Sequence, residues 1–321
     1  MSGFSFADED IQTLQEMGVG VKKVAPKLEE SILIQELQGR NFYIRAGGDK
    51  MGRKIFESTD LELIVFWGSG YENYIDTQVA DEKGIPVANA PGGNSYTVAE
   101  HTSALILDSV KQISQLNDAT KNGEWPIGRE AWNLRGKKLG IVGMGRIGAD
   151  VARIMHHGYK MDIQYFGRTP KVDLEEELGA QRVDLETLLS SSDVVSLHAS
   201  ATKDTLDMIG EKELAMMQPH SVLVCTSRAE LVNAKALKRV LETDKIACAA
   251  FDCYYQEPIL SNNKDHWGLL SLPHSKFLVT PHIAYKSDEA VRNVNAMVIE
   301  NIASFLKTGR PKYLVNLEKA K

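Results

Sequence analysis

Six short apolar runs between residues 138 and 280, most of them separated by longer amphipathic stretches, restrict this chain's fold more than any other feature. They cover 138–142, 162–166, 193–198, 221–225, 246–251 and 277–280. Runs such as Val222-Leu223-Val224-Cys225 are apolar at every position rather than at alternate ones, as strands buried on both faces must be. Strands alternating with helical segments predict a doubly wound α/β layer, a parallel sheet with helices on both faces.

A smaller α/β region precedes this layer, with strands expected at 63–66 and 85–88 and helices at 7–17 and 29–37. The chain leaves it through a helix expected from about residue 94 to 116, where Thr97 and Glu100 have the spacing of a capping box. A last helix is expected over 287–308. Asp288 and Glu289 suit its first turn, Lys307 its last, and Gly309 its stop. That helix returns the chain to the first region. A length of 321 residues suits two domains. The smaller is expected to comprise 1–100 and 288–321, and the larger 101–287.

Composition removes several classes of function. The net charge of −6 and the lack of a long basic run argue against a nucleic-acid surface. No apolar stretch is long enough to span a bilayer and no secretory leader core is present, so a cytoplasmic protein is expected. Cys225, Cys248 and Cys253 form no CxxC pair, so neither a metal site nor a disulfide framework is expected, and they read as core residues.

The turn Gly143-Met144-Gly145-Arg146-Ile147-Gly148 directly follows the apolar run Leu139-Gly140-Ile141-Val142 and opens a helix. A G-x-G-x-x-G pattern in that setting marks a Rossmann-type dinucleotide site. Gly143 allows the tight turn, Gly145 the approach of the pyrophosphate, and Gly148 close helix–strand packing. The first residues of the helix, Arg146 and Ile147, sit at its positive end. The following strand ends in Tyr165-Phe166-Gly167-Arg168-Thr169-Pro170-Lys171, with no carboxylate for a ribose 2′-OH. Gly167, Arg168, Thr169 and Lys171 would instead attract a 2′-phosphate. NADP is favoured, while Asp173 and Glu175 keep NAD open.

Ser227-Arg228, Glu257-Pro258 and Thr280-Pro281-His282 each follow an expected strand, which places all three at the carboxyl edge of the sheet, where ligands bind. Taken singly, Arg228 would read as a surface ion pair, Glu257 as a loop acid and His282 as a structural histidine. As an ordered set behind a dinucleotide turn they read as one site. His101, inside a predicted helix, reads as structural, and His156 and His157 as ordinary helix residues.

Together these motifs resemble the D-isomer-specific 2-hydroxyacid dehydrogenases. The resemblance spans most of the chain: Gly68-Ser69-Gly70-Tyr71 with Asn73 and Asp76, Val98-Ala99-Glu100-His101, the glycine turn, Ser227-Arg228 with Leu231-Val232, Phe251-Asp252 with Glu257-Pro258, and Thr280-Pro281-His282-Ile283-Ala284. It implies a flavodoxin-like smaller domain that binds substrate. His282 would protonate the substrate carbonyl oxygen, and Glu257 would hold the imidazole, since a neighbouring carboxylate favours the charged ring. Arg228 would polarise the carbonyl and grip the carboxylate. Ser69 and Gly70 would add backbone N–H donors, and Tyr285 would line the pocket with Trp67 and Tyr71. Asp252 would hold the nicotinamide carboxamide, and His198, Thr226 and Ser227 would contact the cofactor.

Departures from the family pattern are Ala229, where glycine is usual, Ser200, where proline is usual, and a missing or very short first strand. Pyruvate reduction to D-lactate is the first expectation for the substrate, suggested by Tyr285 shortly after His282 and by Asp265-His266-Trp267 in the long connection to Thr280. Glyoxylate or hydroxypyruvate reduction is the second. A nucleotide-sensing corepressor on the same fold is the alternative of another class. The resemblance also implies a homodimer.

Overall fold

A computed structural model describes residues 6–128, 131–259 and 265–317. The chain forms two compact units, residues 1–94 with 286–321 and residues 95–285. The first division falls ahead of the helix Ser95–Lys111 rather than within it. That helix buries Ala99, Leu105, Ile106 and Val110 with Val151, Ala152 and Met155 in a core of the larger unit.

The smaller unit holds three parallel strands in sequential order, β1 (Phe42–Arg45), β2 (Leu63–Phe66) and β3 (Val87–Ala88). Four helices, Asp8–Glu16, Glu30–Leu37, Arg53–Glu57 and Thr77–Glu82, precede or separate the strands, and Asp288–Thr308 joins them from the other end of the chain. That last helix follows its sequence signals closely, with the Ser287 hydroxyl accepting from Ala290 N–H and Gly309 in the left-handed conformation beyond its end. β1 was not foreseen, and β3 is shorter than expected. Pro86 has no N–H to give the ladder, and the strand's outer edge is paired by the buried Asn316 amide. Its Oδ1 accepts from Val87 N–H at 2.7 Å and its Nδ2 donates to Ile85 C=O at 2.9 Å.

The larger unit carries seven parallel strands in the order β10-β9-β8-β7-β4-β5-β6. They are β4 (Lys138–Val142), β5 (Asp162–Phe166), β6 (Gln181–Arg182), β7 (Val194–Leu197), β8 (Val222–Cys225), β9 (Cys248–Phe251) and β10 (Phe277–Val279). The order reverses between β4 and β7, the switch point where such sheets bind ligands at their carboxyl ends. Each face of the sheet is covered by its own apolar cluster. β6 is the one strand here that the apolar pattern did not announce, because both of its residues are exposed.

Two expectations for the linking helix need correction. It starts at Ser95, so Thr97 lies inside its first turn rather than at its cap. It also breaks at Gln112, whose φ is +55°. The Asp108 carboxylate accepts from Ser114 N–H at 2.8 Å, and a second helix, Ile113–Lys121, begins. Among the described residues no helix is long and apolar enough to cross a membrane.

Replacing Asn316 with leucine strands Val87 N–H and Ile85 C=O. The expected loss is about 1–3 kcal/mol for each group that stays dry, read as a lower denaturant midpoint. A midpoint equal to that of the parent protein would show that water replaces the amide at no cost.

Candidate active site

β4 delivers the glycine turn to the switch point, and close packing dictates its glycines. Gly143 has φ +97°, and a Cβ there would lie 2.6 Å from Ala199 N. A Cβ on Gly148 would lie 2.6 Å from Gly143 O, whereas one on Gly145 would meet nothing within 4 Å. The turn is thus tight on its protein side and open above Gly145, at the start of the 14-residue helix Arg146–Tyr159. The N–H groups of a first helical turn have no partner within the helix and carry its positive end. A pyrophosphate fits this cradle on steric and electrostatic grounds. Arg146 has no ion-pair partner among the described residues.

At the end of β5 the side chains of Arg168 and Lys171 likewise meet no carboxylate among the described residues. Glu175 is engaged elsewhere. Its Oε1 accepts from the Tyr165 hydroxyl at 2.5 Å, and that hydroxyl accepts from Lys171 N–H at 2.7 Å. The Arg182 guanidinium, absent from the sequence-based site, donates to the carbonyls of Gly167 and Arg168. His198, next to the turn, has its Nε2 2.8 Å from the Ser196 hydroxyl. Burial pushes its pKa down to about 4, so the ring is neutral near pH 7.

The larger unit brings the three separated catalytic candidates to one edge. Arg228 follows β8, Glu257 follows β9 and His282 follows β10. His282 Nδ1 stands 2.7 Å from Glu257 Oε2, while Glu257 Oε1 accepts from Tyr254 N–H at 2.8 Å. Both carboxylate oxygens are therefore fixed, and His282 Nε2 is left without a partner among the described residues. Burial by itself raises the Glu257 carboxyl, but the His282 imidazole, the Tyr254 N–H and the Arg228 charge outweigh it and hold the group below its ordinary value. Arg228 Nη1 donates to Ser227 C=O at 2.7 Å, which fixes one end of its fork. The Tyr285 ring meets the His282 ring edge-on, with centroids 6.3 Å apart.

Several residues expected at the cofactor also bond within the larger unit. The buried Asp252 carboxyl is committed to the loop that carries His282: Oδ1 accepts from the Thr280 hydroxyl at 2.5 Å and Ile283 N–H at 2.9 Å, and Oδ2 from Ala284 N–H at 2.7 Å. His101, read as merely structural, places Nε2 3.2 Å from the Thr280 hydroxyl and 3.6 Å from Asp252 Oδ1. The Thr226 hydroxyl pairs with that of Thr102 at 2.9 Å, and the Ser227 hydroxyl lies 3.7 Å from Cys225 Sγ. The cysteines are buried core residues. Tyr254, Tyr255 and Trp267 pack as an aromatic cluster, and Asp265 accepts from the Tyr254 hydroxyl.

In the smaller unit, Gly68 has φ +139°, and the Ser69 carbonyl accepts from Asn89 Nδ2 at 2.9 Å. Backbone N–H groups of Ser69 and Gly70 find no acceptor among the described residues, as a carboxylate cradle requires. Trp67 is buried and donates its indole N–H to Asn295 Oδ1 at 2.7 Å, which makes it a packing residue of this unit.

The model of the D-isomer specific 2-hydroxyacid dehydrogenase NAD-binding domain matches residues 103–284. A glyoxylate reductase of Thermococcus litoralis is 35% identical over 89% of this chain and 86% of its own length. A solved glyoxylate reductase from Paecilomyes thermophila has a TM-score of 0.83 at 29% identity, covering 96% of this chain and 94% of that one. A D-lactate dehydrogenase from Aquifex aeolicus, solved with NAD and lactic acid, has a TM-score of 0.84 at 27% identity, covering 96% of this chain and 98% of that one. With this turn, this parallel sheet and these relatives, the chain belongs to the D-isomer-specific 2-hydroxyacid dehydrogenases, oxidoreductases that use a nicotinamide cofactor on small 2-oxo and 2-hydroxy acids.

Proposed function

We propose that this enzyme reduces glyoxylate or a close 2-oxo acid such as hydroxypyruvate, with NADPH as its preferred reductant. The observation that carries the chemistry is the His282–Glu257 pair, 2.7 Å apart, with His282 Nε2 without a partner among the described residues and the Arg228 charge acting on Glu257. When bound, the cofactor supplies the hydride. His282 Nε2 then gives a proton to the substrate carbonyl oxygen, and Glu257 fixes the ring through Nδ1. Arg228 polarises the same carbonyl and holds the carboxylate through its planar fork. In the smaller unit, Ser69 and Gly70 are assigned as carboxylate donors because their N–H groups have no acceptor among the described residues.

Support for NADP comes from Gly167, Arg168, Thr169 and Lys171, a cationic loop end without a carboxylate, together with Glu175 being held by Tyr165. Glyoxylate is placed ahead of pyruvate because the Thermococcus litoralis relative bears that name. Pyruvate remains the second reading on one observation, the edge contact of Tyr285 with His282, which resembles the arrangement expected of D-lactate dehydrogenases.

The deciding experiment is a steady-state panel of glyoxylate, hydroxypyruvate, pyruvate and phenylpyruvate with NADPH and with NADH. The highest kcat/KM is expected for glyoxylate with NADPH, and hydroxypyruvate should give the D product. A preference for pyruvate would select the second reading, and L product would remove both.

In His282→Ala, turnover is expected to fall roughly 10²–10⁴-fold, with cofactor affinity measured by fluorescence titration nearly unchanged. Loss of cofactor binding together with turnover would contradict the role given to the ring.

The pH dependence has a definite sign. A carboxyl whose pKa is depressed in the folded protein stays ionised as pH falls through the ordinary glutamate range. The His282–Glu257 pair is therefore lost only as pH falls through that lower value. Reduction should persist across the ordinary range, with an acid limb below it. Glu257→Gln should lower the rate at every pH and abolish the limb. A limb that survives the substitution would belong to another group.

A further inference from the structure

We infer that Arg182 is a coenzyme-specificity residue, a cation clamped beside the β5 loop end so that its free edge receives the 2′-phosphate of NADP. The inference rests on the NADP reading above and adds a residue to it.

Nothing in the apolar pattern marks Arg182. It lies in the two-residue strand β6, opposite Tyr165 of β5. From there its guanidinium reaches across the end of β5. Nε and Nη2 donate to Gly167 C=O at 3.1 and 3.0 Å, and Nη2 also donates to Arg168 C=O at 3.0 Å. A guanidinium has five N–H donors in a rigid fork. Three are used on these two carbonyls, and the two on Nη1 have no acceptor among the described residues. Among the described residues no carboxylate forms an ion pair with the group, and Glu175 Oε1 accepts from the Tyr165 hydroxyl.

This arrangement acts on coenzyme choice in two ways. A ribose 2′-OH needs an acceptor at the strand end. The backbone acceptors there, the carbonyls of Gly167 and Arg168, are already covered by a cation. A 2′-phosphate needs donors and positive charge, and Arg182 offers both from a position already fixed by its own loop. An arginine immobilised in advance loses less freedom on binding than a mobile one, and a lysine could not span two carbonyls while presenting a further planar edge. Arg168 and Lys171 stand in the same segment without carboxylate partners among the described residues, so three cations serve one dianionic group.

The test is calorimetric binding of 2′,5′-ADP and 5′-ADP, which need no turnover, to the full-length protein and to Arg182→Ala, Arg182→Lys and Arg168→Ala. The parent protein is expected to bind 2′,5′-ADP more tightly. Arg182→Ala should weaken 2′,5′-ADP by roughly 10–100-fold, as loss of charge-assisted bonds predicts, and leave 5′-ADP within about 2-fold. Arg182→Lys should recover part of that loss. Equal weakening of both ligands in Arg182→Ala would make the residue a loop anchor only and overturn the inference, as would no weakening of either. If the parent protein itself fails to prefer 2′,5′-ADP, the NADP reading falls and this inference falls with it. A parent preference that survives Arg182→Ala overturns the inference alone.

Discussion

The buried carboxyl of Asp252 is the point on which the site's geometry depends. It sits just past β9 and takes three donors from the loop after β10: the Thr280 hydroxyl and the N–H groups of Ile283 and Ala284. Between those donors lies His282, with φ +53°. Left-handed backbone at a residue other than glycine costs about 1–2 kcal/mol, and it persists only where surrounding structure imposes it. Asp252 imposes it here. The ring is thereby turned to meet Glu257, which is fixed in turn by Tyr254 N–H. A carboxyl group that never touches the imidazole thus sets its direction.

The larger unit was legible in the sequence because its determinants are local. Continuous apolar runs have few interpretations other than buried parallel strands, and β4 and β5 appear with the bounds expected. A glycine turn between strand and helix is defined by a few adjacent residues. The catalytic candidates could be placed because each directly follows a strand, and a parallel sheet aligns strand ends whatever their separation in sequence. Long-range complementarity was not legible. Nothing in the sequence announced the protein partners of Asp252, which lie about thirty residues away in loop backbone that no side-chain pattern encodes. His101 looked structural because its neighbours in sequence are helical, while its neighbours in space are Thr280 and Asp252.

The elements that escaped the sequence share a physical cause. β1 ends in a buried arginine, Arg45, whose guanidinium stacks 3.8 Å from the Tyr74 ring centroid, so a charged residue closes what is otherwise an apolar strand. β6 consists of two exposed residues held by their partner strand rather than by burial. The helix break at Gln112 depends on one carboxylate, that of Asp108, capping the chain beyond it. In each case polar side chains decided the local structure, and apolar periodicity is blind to them.

The Tyr165 hydroxyl joins two halves of the coenzyme question. It donates a hydrogen bond to Glu175 and accepts one from Lys171 N–H, so one phenol both pins the acid and anchors the start of the helix Val172–Leu178. An acid of the kind a ribose diol needs is thus present in the chain, locked into the fold as a structural part. On the NADP reading, a redesign toward NAD would begin with releasing that carboxylate, and the same act loosens the helix behind it. Glu175 and the start of this helix are tied through a single oxygen atom, so freeing the acid also leaves Lys171 N–H without its acceptor.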